Sequence, residues 1–299
     1  MLGLLEEKMP WIESYKVPLG SLAKSLVDML IRDASSFFDA ASYILGAMIN
    51  VLVAALQGPG EGYGSIHTIY PLIVAVMAGG LSWLARRSIA VSSFTVLGLL
   101  LIVNQGYWKE TTETLALVLA STAVSMLVGV PLGIAAARRS WIYSALRPVL
   151  DLMQTIPTFV YLIPALILFG LGMVPGLIAT VIFAIPAPIR LTRLGIIATP
   201  SSLVEAAKAF GATSTQVLTK VELPYALPQI MAGLTQTIML SLSMVVVAAL
   251  VGANGLGVPV VRALNSVNVA KGFEAGLCIV VLAVILDRSF RLPEAGDEA

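Results

Sequence analysis

The chain has 299 residues, 58% of them hydrophobic and only 12% charged, with a mean hydropathy of +0.93; soluble domains carry about 25% charged residues, so this is a bilayer composition. A net charge of +1, with Lys and Arg spread along the sequence, offers no basic field for nucleic acid. One cysteine, Cys278, and one histidine, His67, leave no internal disulfide and no thiolate or imidazole cluster for a metal, and Cys278 inside an apolar run reads as a packing residue.

At the N-terminus, Glu6, Glu7 and Lys8 stand where a cleavable signal needs its apolar core, so the segment reads as retained. Residues 37–57 repeat apolar positions at helical spacing (Phe38, Ala41, Leu45, Met48, Leu52) but carry Asp39, Ser42, Tyr43 and Asn50. An interfacial amphipathic helix fits them better than a span. Gly58, Pro59, Gly60 and Gly62 then mark a break, which separates an N-terminal tail (1–66) from a membrane domain (67–288) and a short C-terminal tail (289–299).

A spanning helix needs about 20 mostly apolar residues. Seven windows qualify: 67–85, 89–105, 112–136, 148–170, 175–197, 227–251 and 270–287. Cytoplasmic loops accumulate Lys and Arg. If Arg86 and Arg87 lie inside, alternation puts Arg138, Arg139, Arg147, Arg190, Arg193, Lys208, Lys220, Arg288 and Arg291 inside as well, and gives the opposite side of the membrane domain only Lys109, Arg262 and Lys271; the remaining four basic residues sit in the first 66 positions. The C-terminus is then cytoplasmic. Seven spans with the acidic tail outside is the favoured reading; eight spans with both ends inside is the alternative.

Residues 200–224, between the fifth and sixth windows, are too patterned for a connector. Ser202 with Glu205 three residues on suggests a capping box, Ala206 and Ala207 favour helix, and Gly211 supplies a left-handed terminator. Thr213 with Gln216 repeats the cap signal, and Pro224 is expected to close the second turn region. One short helix would therefore display Glu205, Ala206, Ala207 and the aromatic knob Phe210 to the cytosol, and buried aromatics are frequent interface anchors.

Glu205-Ala206-Ala207, three residues, Gly211, nine residues, then Val221-Glu222-Leu223-Pro224 resembles the EAA signature of ABC importer permeases, with Val221 where the family usually has Ile. The resemblance implies an all-α membrane protein with the type I ABC importer transmembrane fold: about seven spans, an N-terminal amphipathic segment and a cytoplasmic coupling helix. It makes Glu205, Ala206, Ala207, Phe210, Gly211, Leu223 and Pro224 the ATPase-coupling residues. The runs 114–119, Gly129-Val130-Pro131-Leu132-Gly133-Ile134, 148–164, 242–246 and 285–288 are similar to the glycine betaine/proline betaine importer permeases. That narrower resemblance implies a small zwitterionic or quaternary-amine substrate, with choline, carnitine or a small amino acid such as histidine or proline as alternatives. The implied partners are an ABC ATPase in two copies, a second permease copy, a separate extracytoplasmic binding protein and membrane lipid, in a bacterial cytoplasmic membrane. Aromatic cages hold quaternary ammonium groups; none is legible in the spans, and in the resembled family the cage belongs to the binding protein.

None of the seven lysines follows a glycine, so no phosphate-binding P-loop is present. The chain reads as non-catalytic and as binding no cofactor, with ATP and Mg on the partner ATPase. Polar side chains within spans are costly unless they face protein or water. Gln154, Thr155 and Tyr161 of the fourth window and Gln236, Thr237, Ser241 and Ser243 of the sixth are candidates to line the path; hydrogen bonding between helices is the alternative. Asp151, near Arg147, suggests a structural ion pair. Gly255 and Gly257 suggest an outer gate, with a plain glycine loop as the alternative. Two rivals from other classes are an ion-coupled secondary transporter, which predicts intramembrane charge pairs or inverted repeats, and an osmotically gated channel.

Overall fold

The computed structural model describes residues 19–58 and 65–291, and every regular element in them is helical. The N-terminal stretch expected to be retained, most of the glycine-rich break, the His67 side chain and nearly all of the C-terminal tail lie outside the described residues. In chain order the helices are α1 (Leu19–Gln57), α2 (Ser65–Arg86), α3 (Ile89–Asn104), α4 (Trp108–Arg138), α5 (Ser140–Thr155), α6 (Thr158–Phe169), α7 (Met173–Ala184) and α8 (Pro186–Ile197). They continue with α9 (Ser201–Ala209), α10 (Ser214–Val217), a π turn (Leu218–Glu222), α11 (Leu223–Ala249), α12 (Gly257–Asn265) and α13 (Val269–Phe290).

The chain divides into two compact units, with the boundary between Ala41 and Ser42. Within the first, Ala34 departs from helical geometry (φ −127°, ψ 20°), the exposed Arg32 and Asp33 side chains pair at 3.2 Å, and Phe37 meets Phe38 edge-on at 5.5 Å. The second unit holds the bundle.

Six helical segments are long and apolar enough to cross a membrane: Ile31–Gln57, Ile69–Arg86, Trp108–Arg138, Met173–Ile197, Ser214–Ala249 and Val269–Phe290. The first contains the residues expected as an interfacial helix. The window 148–170, expected as one span, is instead two helices, α5 and α6, bent by 100°. The cause is local: Pro157 has no N–H to continue the ladder and forces Ile156 out of the helical region, to φ −66° and ψ 131°. Helix α3 matches its window, but 16 residues rise only about 24 Å, short of a bilayer core.

Small residues let the central helices approach closely, as membrane helices do. A Cβ on Gly129 would stand 2.7 Å from the Pro188 ring, and one on Gly195 2.9 Å from the Ala226 Cβ. Helix α8 is thus wedged between α4 and α11. At the opposite end of the bundle Gly176 of α7 faces Ala248 and Ala253. Between these levels lies the apolar core, where Leu117, Val118, Leu177, Ile238, Leu256 and Leu282 are almost wholly buried, and Cys278 packs with them. Large apolar groups such as Leu72, Val76, Leu97 and Leu127 stay exposed, which suits lipid or partner contact and no aqueous surface.

Candidate functional site

Helix α9 starts directly after Pro200, two residues earlier than the expected capping box allows, and no side chain caps it. Ser202 is already helical, so its hydroxyl cannot serve the box it was expected to form with Glu205. The end is as expected. Gly211 sits at φ +82°, its N–H bonds the Lys208 carbonyl at 2.9 Å, and the Ala212 N–H returns to the Ala207 carbonyl at 3.0 Å. This is a Schellman closure, which needs a residue that tolerates the left-handed region. The second cap also forms: Thr213 Oγ1 accepts from the Gln216 N–H at 3.3 Å, and the Gln216 side chain accepts from the Thr213 N–H at 2.8 Å.

Pro224 does not close a turn. Helix runs from Ser214 through the π turn to Ala249, and Pro224 lies in the first turn of α11. The Leu223 N–H reaches back five residues to the Leu218 carbonyl. This widened turn lets a residue without an N–H enter the helix.

The loop displays what a partner would grip. Phe210 is 94% exposed, Glu205 and Ala206 are exposed, and Ala207 is half-buried. Behind α9 lies a cleft of about 440 Å³ lined by Val204, Glu205, Lys208, Arg138, Glu222 and Ile197, among others. Arg138, at the end of α4, donates through Nη2 to Glu222 Oε2 and to the Ser214 carbonyl, each at 3.0 Å. The loop is therefore tied to a helix 76 residues earlier in the chain. Arg86 donates to the Arg291 carbonyl, which brings the ends of α2 and α13 together.

At the opposite end Gly255 has φ +124°, and a Cβ there would lie 2.5 Å from Thr114 Oγ1. That hydroxyl accepts from the Leu256 N–H at 2.8 Å and donates to the Glu110 carbonyl at 2.8 Å. Gly257 opens α12 against the Val245 carbonyl, 2.3 Å from where a Cβ would stand. Both glycines sit in backbone-tight packing on α4 and α11. Burial holds the Tyr107 phenol above its usual range, and the acidic groups Glu274, Cys278 and Glu110 nearby push the same way.

The residues expected along the path divide into two groups. Gln154, Thr155, Gln236 and Ser243 are exposed on the protomer surface. Thr237 and Ser241 are fully buried between helices, Thr237 Oγ1 bonding the Gly233 carbonyl at 2.7 Å. Tyr161 is also buried; its hydroxyl donates to the Leu152 and Met153 carbonyls and so spans the bend between α5 and α6. Asp151 is paired, as its neighbourhood suggested, but its short contact is to Arg190 at 2.6 Å, with Arg147 at 3.9 Å. Sequence reasoning missed Arg138 and Arg190 as partners, since no local pattern links residues 84 and 39 positions apart.

Residues 129–295 match the family of binding-protein-dependent transport system inner membrane components. The chain belongs to that family. It is 45% identical over 273 residues to the glycine betaine transport system permease protein OpuAB of Bacillus subtilis, covering 91% of this chain and 93% of the relative. It is 43% identical over 276 residues to the glycine betaine/carnitine transport permease protein GbuB of Listeria monocytogenes, covering 91% and 94%. Among solved structures, an inward-facing form of the MetNI methionine ABC transporter superposes with a TM-score of 0.54 at 23% identity, over 58% of this chain and 88% of that one. The fold is therefore that of an ABC importer transmembrane domain, and the permease is a multi-pass membrane protein. Its matched region contains the α9 loop, Arg138, the bent α5–α6 pair and the Gly255 loop.

Proposed function

We propose that this permease forms the translocation path of an ATP-driven importer for a small zwitterionic or quaternary-amine osmoprotectant of the glycine betaine type. The observation that carries the reading is the α9 loop: a helix closed at its C-terminal end by Gly211 that presents an exposed Phe210 beside Ala206 and Glu205, in a chain whose relatives are named for glycine betaine transport. An exposed aromatic on a helix stopped by Gly211 suits a groove on a separate ATPase. The chain holds no P-loop of its own, so ATP and Mg belong to that partner and this subunit is not the catalyst.

The end of the bundle that carries α9 also carries Arg86, Arg138, Arg147 and Arg291. The positive-inside rule puts that end, and the C-terminus with it, in the cytoplasm. Two permease copies would enclose the path, two ATPases would engage the α9 helices, and a loaded binding protein would dock at the Gly255 end. Carnitine is a second candidate substrate, since one relative is named for it.

The reading is tested in proteoliposomes holding the permease, its ATPase and its binding protein. Labelled glycine betaine should enter only with ATP inside and binding protein outside. Competition by choline, carnitine, proline and histidine orders the substrate class. Gly211→Val should abolish uptake while leaving the permease in the membrane; uptake that persists in this variant, or that runs on an ion gradient without the ATPase, overturns the reading.

A further inference from the structure

Helix α5 is joined to the bundle differently from its neighbours. Helices α4 and α11 meet α8 at backbone distance, with the absent side chains of Gly133 and Gly195 leaving 2.7 Å to Thr192 Cβ and 2.9 Å to Ala226 Cβ. Helix α5 meets α8 through charged side chains. Arg190 Nη2 donates to Asp151 Oδ1 at 2.6 Å, and the Arg193 guanidinium lies over the Tyr143 ring, 3.6 Å from its centroid. Asp151 and Tyr143 stand two turns apart on α5, while Arg190 and Arg193 stand one turn apart on α8, so the two contacts together set the angle of the arm.

The Asp151 and Arg190 side chains are 53% and 36% exposed. Ion pairs that wet add little to stability, so holding the fold together does not account for this one. Its position does. Helix α8 leads through three residues, Ala198 to Pro200, into α9. At its far end α5 is fastened across the 100° bend to α6 by the buried Tyr161, whose hydroxyl bonds the Leu152 and Met153 carbonyls. A displacement of α9 thus has a continuous route: α8, Arg190, Asp151, the end of α5, Tyr161, α6.

We propose that Asp151 is a positioning residue for transport, a latch through which movement of the α9 loop is passed by Arg190 to the α5 arm and the α5–α6 bend. This rests on the reading of α9 as the ATPase-coupling helix. The latch stays closed while α8 moves, because a contact that opened would transmit nothing. Asp151→Glu keeps the charge and reach needed, whereas Asp151→Asn and Arg190→Gln do not.

The test measures substrate imported per ATP hydrolysed by the reconstituted importer. Asp151→Asn and Arg190→Gln should each lower that ratio about fivefold, a usual size for a residue on a coupling route, with binding-protein-independent ATPase activity unchanged. Asp151→Glu should keep the parental ratio. In a Cys278→Ala background, Asp151→Cys with Arg190→Cys should be uncoupled until a flexible bis-maleimide bridges the two thiols, and then recover. A parental ratio in Asp151→Asn, or a bridged double variant that stays uncoupled, overturns the latch. If Gly211→Val is inactive while Asp151→Asn is parental, the latch alone fails; if Gly211→Val imports normally, the coupling reading beneath it fails.

Discussion

Arg138 and Glu222 meet across 84 positions of sequence, Nη2 to Oε2 at 3.0 Å, and the same nitrogen holds the Ser214 carbonyl. Glu222 belongs to the π turn and its side chain is only 16% exposed, with Arg138 at 33%. A partly buried, charge-assisted contact of this kind joins the end of α4 to the second half of the α9–α11 loop.

Removing either partner leaves the other charge half-buried. Glu222→Ala and Arg138→Ala should each lower stability by about 1–3 kcal/mol. Thermal unfolding of the detergent-purified permease measures this. The double variant should cost less than the two single effects added, because the partners share one contact; full additivity would mean that the two side chains act separately.

Phe210 packs on nothing that would miss it in the protomer, being 94% exposed. Phe210→Ala should leave the permease's melting temperature unchanged and weaken ATPase binding by about 10-fold or more, as truncation of an aromatic anchor does. Binding of the purified ATPase to nanodisc-embedded permease decides it. A lower melting temperature with unchanged ATPase affinity would place the residue in the fold and not the interface.

Thr114 supports the opposite end by accepting from the buried Leu256 N–H at 2.8 Å. Thr114→Val strands that donor and should cost about 1–3 kcal/mol, whereas Thr114→Ser keeps the acceptor and should be close to neutral. Gly255→Ala sets a Cβ 2.5 Å from the same hydroxyl at φ +124°, and should also destabilise, by about 1–3 kcal/mol. Melting curves of the three variants rank them; equal behaviour of Thr114→Val and Thr114→Ser would remove the hydrogen bond from the account.

Val267 closes α12 with the same backbone pattern that Gly211 uses for α9: its N–H bonds the Leu264 carbonyl at 3.2 Å, and the Asn268 N–H bonds the Ala263 carbonyl at 2.9 Å. Yet Val267 does so with a β-branched side chain at φ +51°. Left-handed geometry costs such a residue about 1–2 kcal/mol. Val267→Gly should therefore raise stability, offset in part by the greater freedom of glycine in the unfolded chain. A melting temperature at or below that of the parent would show that the 82% exposed Val267 side chain is held by something beyond its own helix end.

Much of the site was legible because its signals are local. Gly211 and the Thr213–Gln216 box are short-range backbone devices, and both form. Two local signals misled. Ser202–Glu205 has the spacing of a capping box, but α9 is entered from Pro200 and starts two residues too early. Pro224 looks like a stop, but a π turn before it moves the ladder by one residue and the helix continues. In the fourth window Pro157 was visible, yet hydropathy averages over a bend and read two helices as one span.

By itself the sequence determined the membrane class, the helical elements and the place of the displayed loop, since hydropathy and end-capping depend on residues a few positions apart. Only the tertiary structure decided which charges meet. The pair Arg138 with Glu222, and the burial of Thr237 and Ser241 against the exposure of Gln236, go with how α4, α8 and α11 close on one another at their glycines, and the pair Arg190 with Asp151 with where α5 lies against α8. That closure is a long-range property, set by packing between helices and carried by no single stretch of the chain.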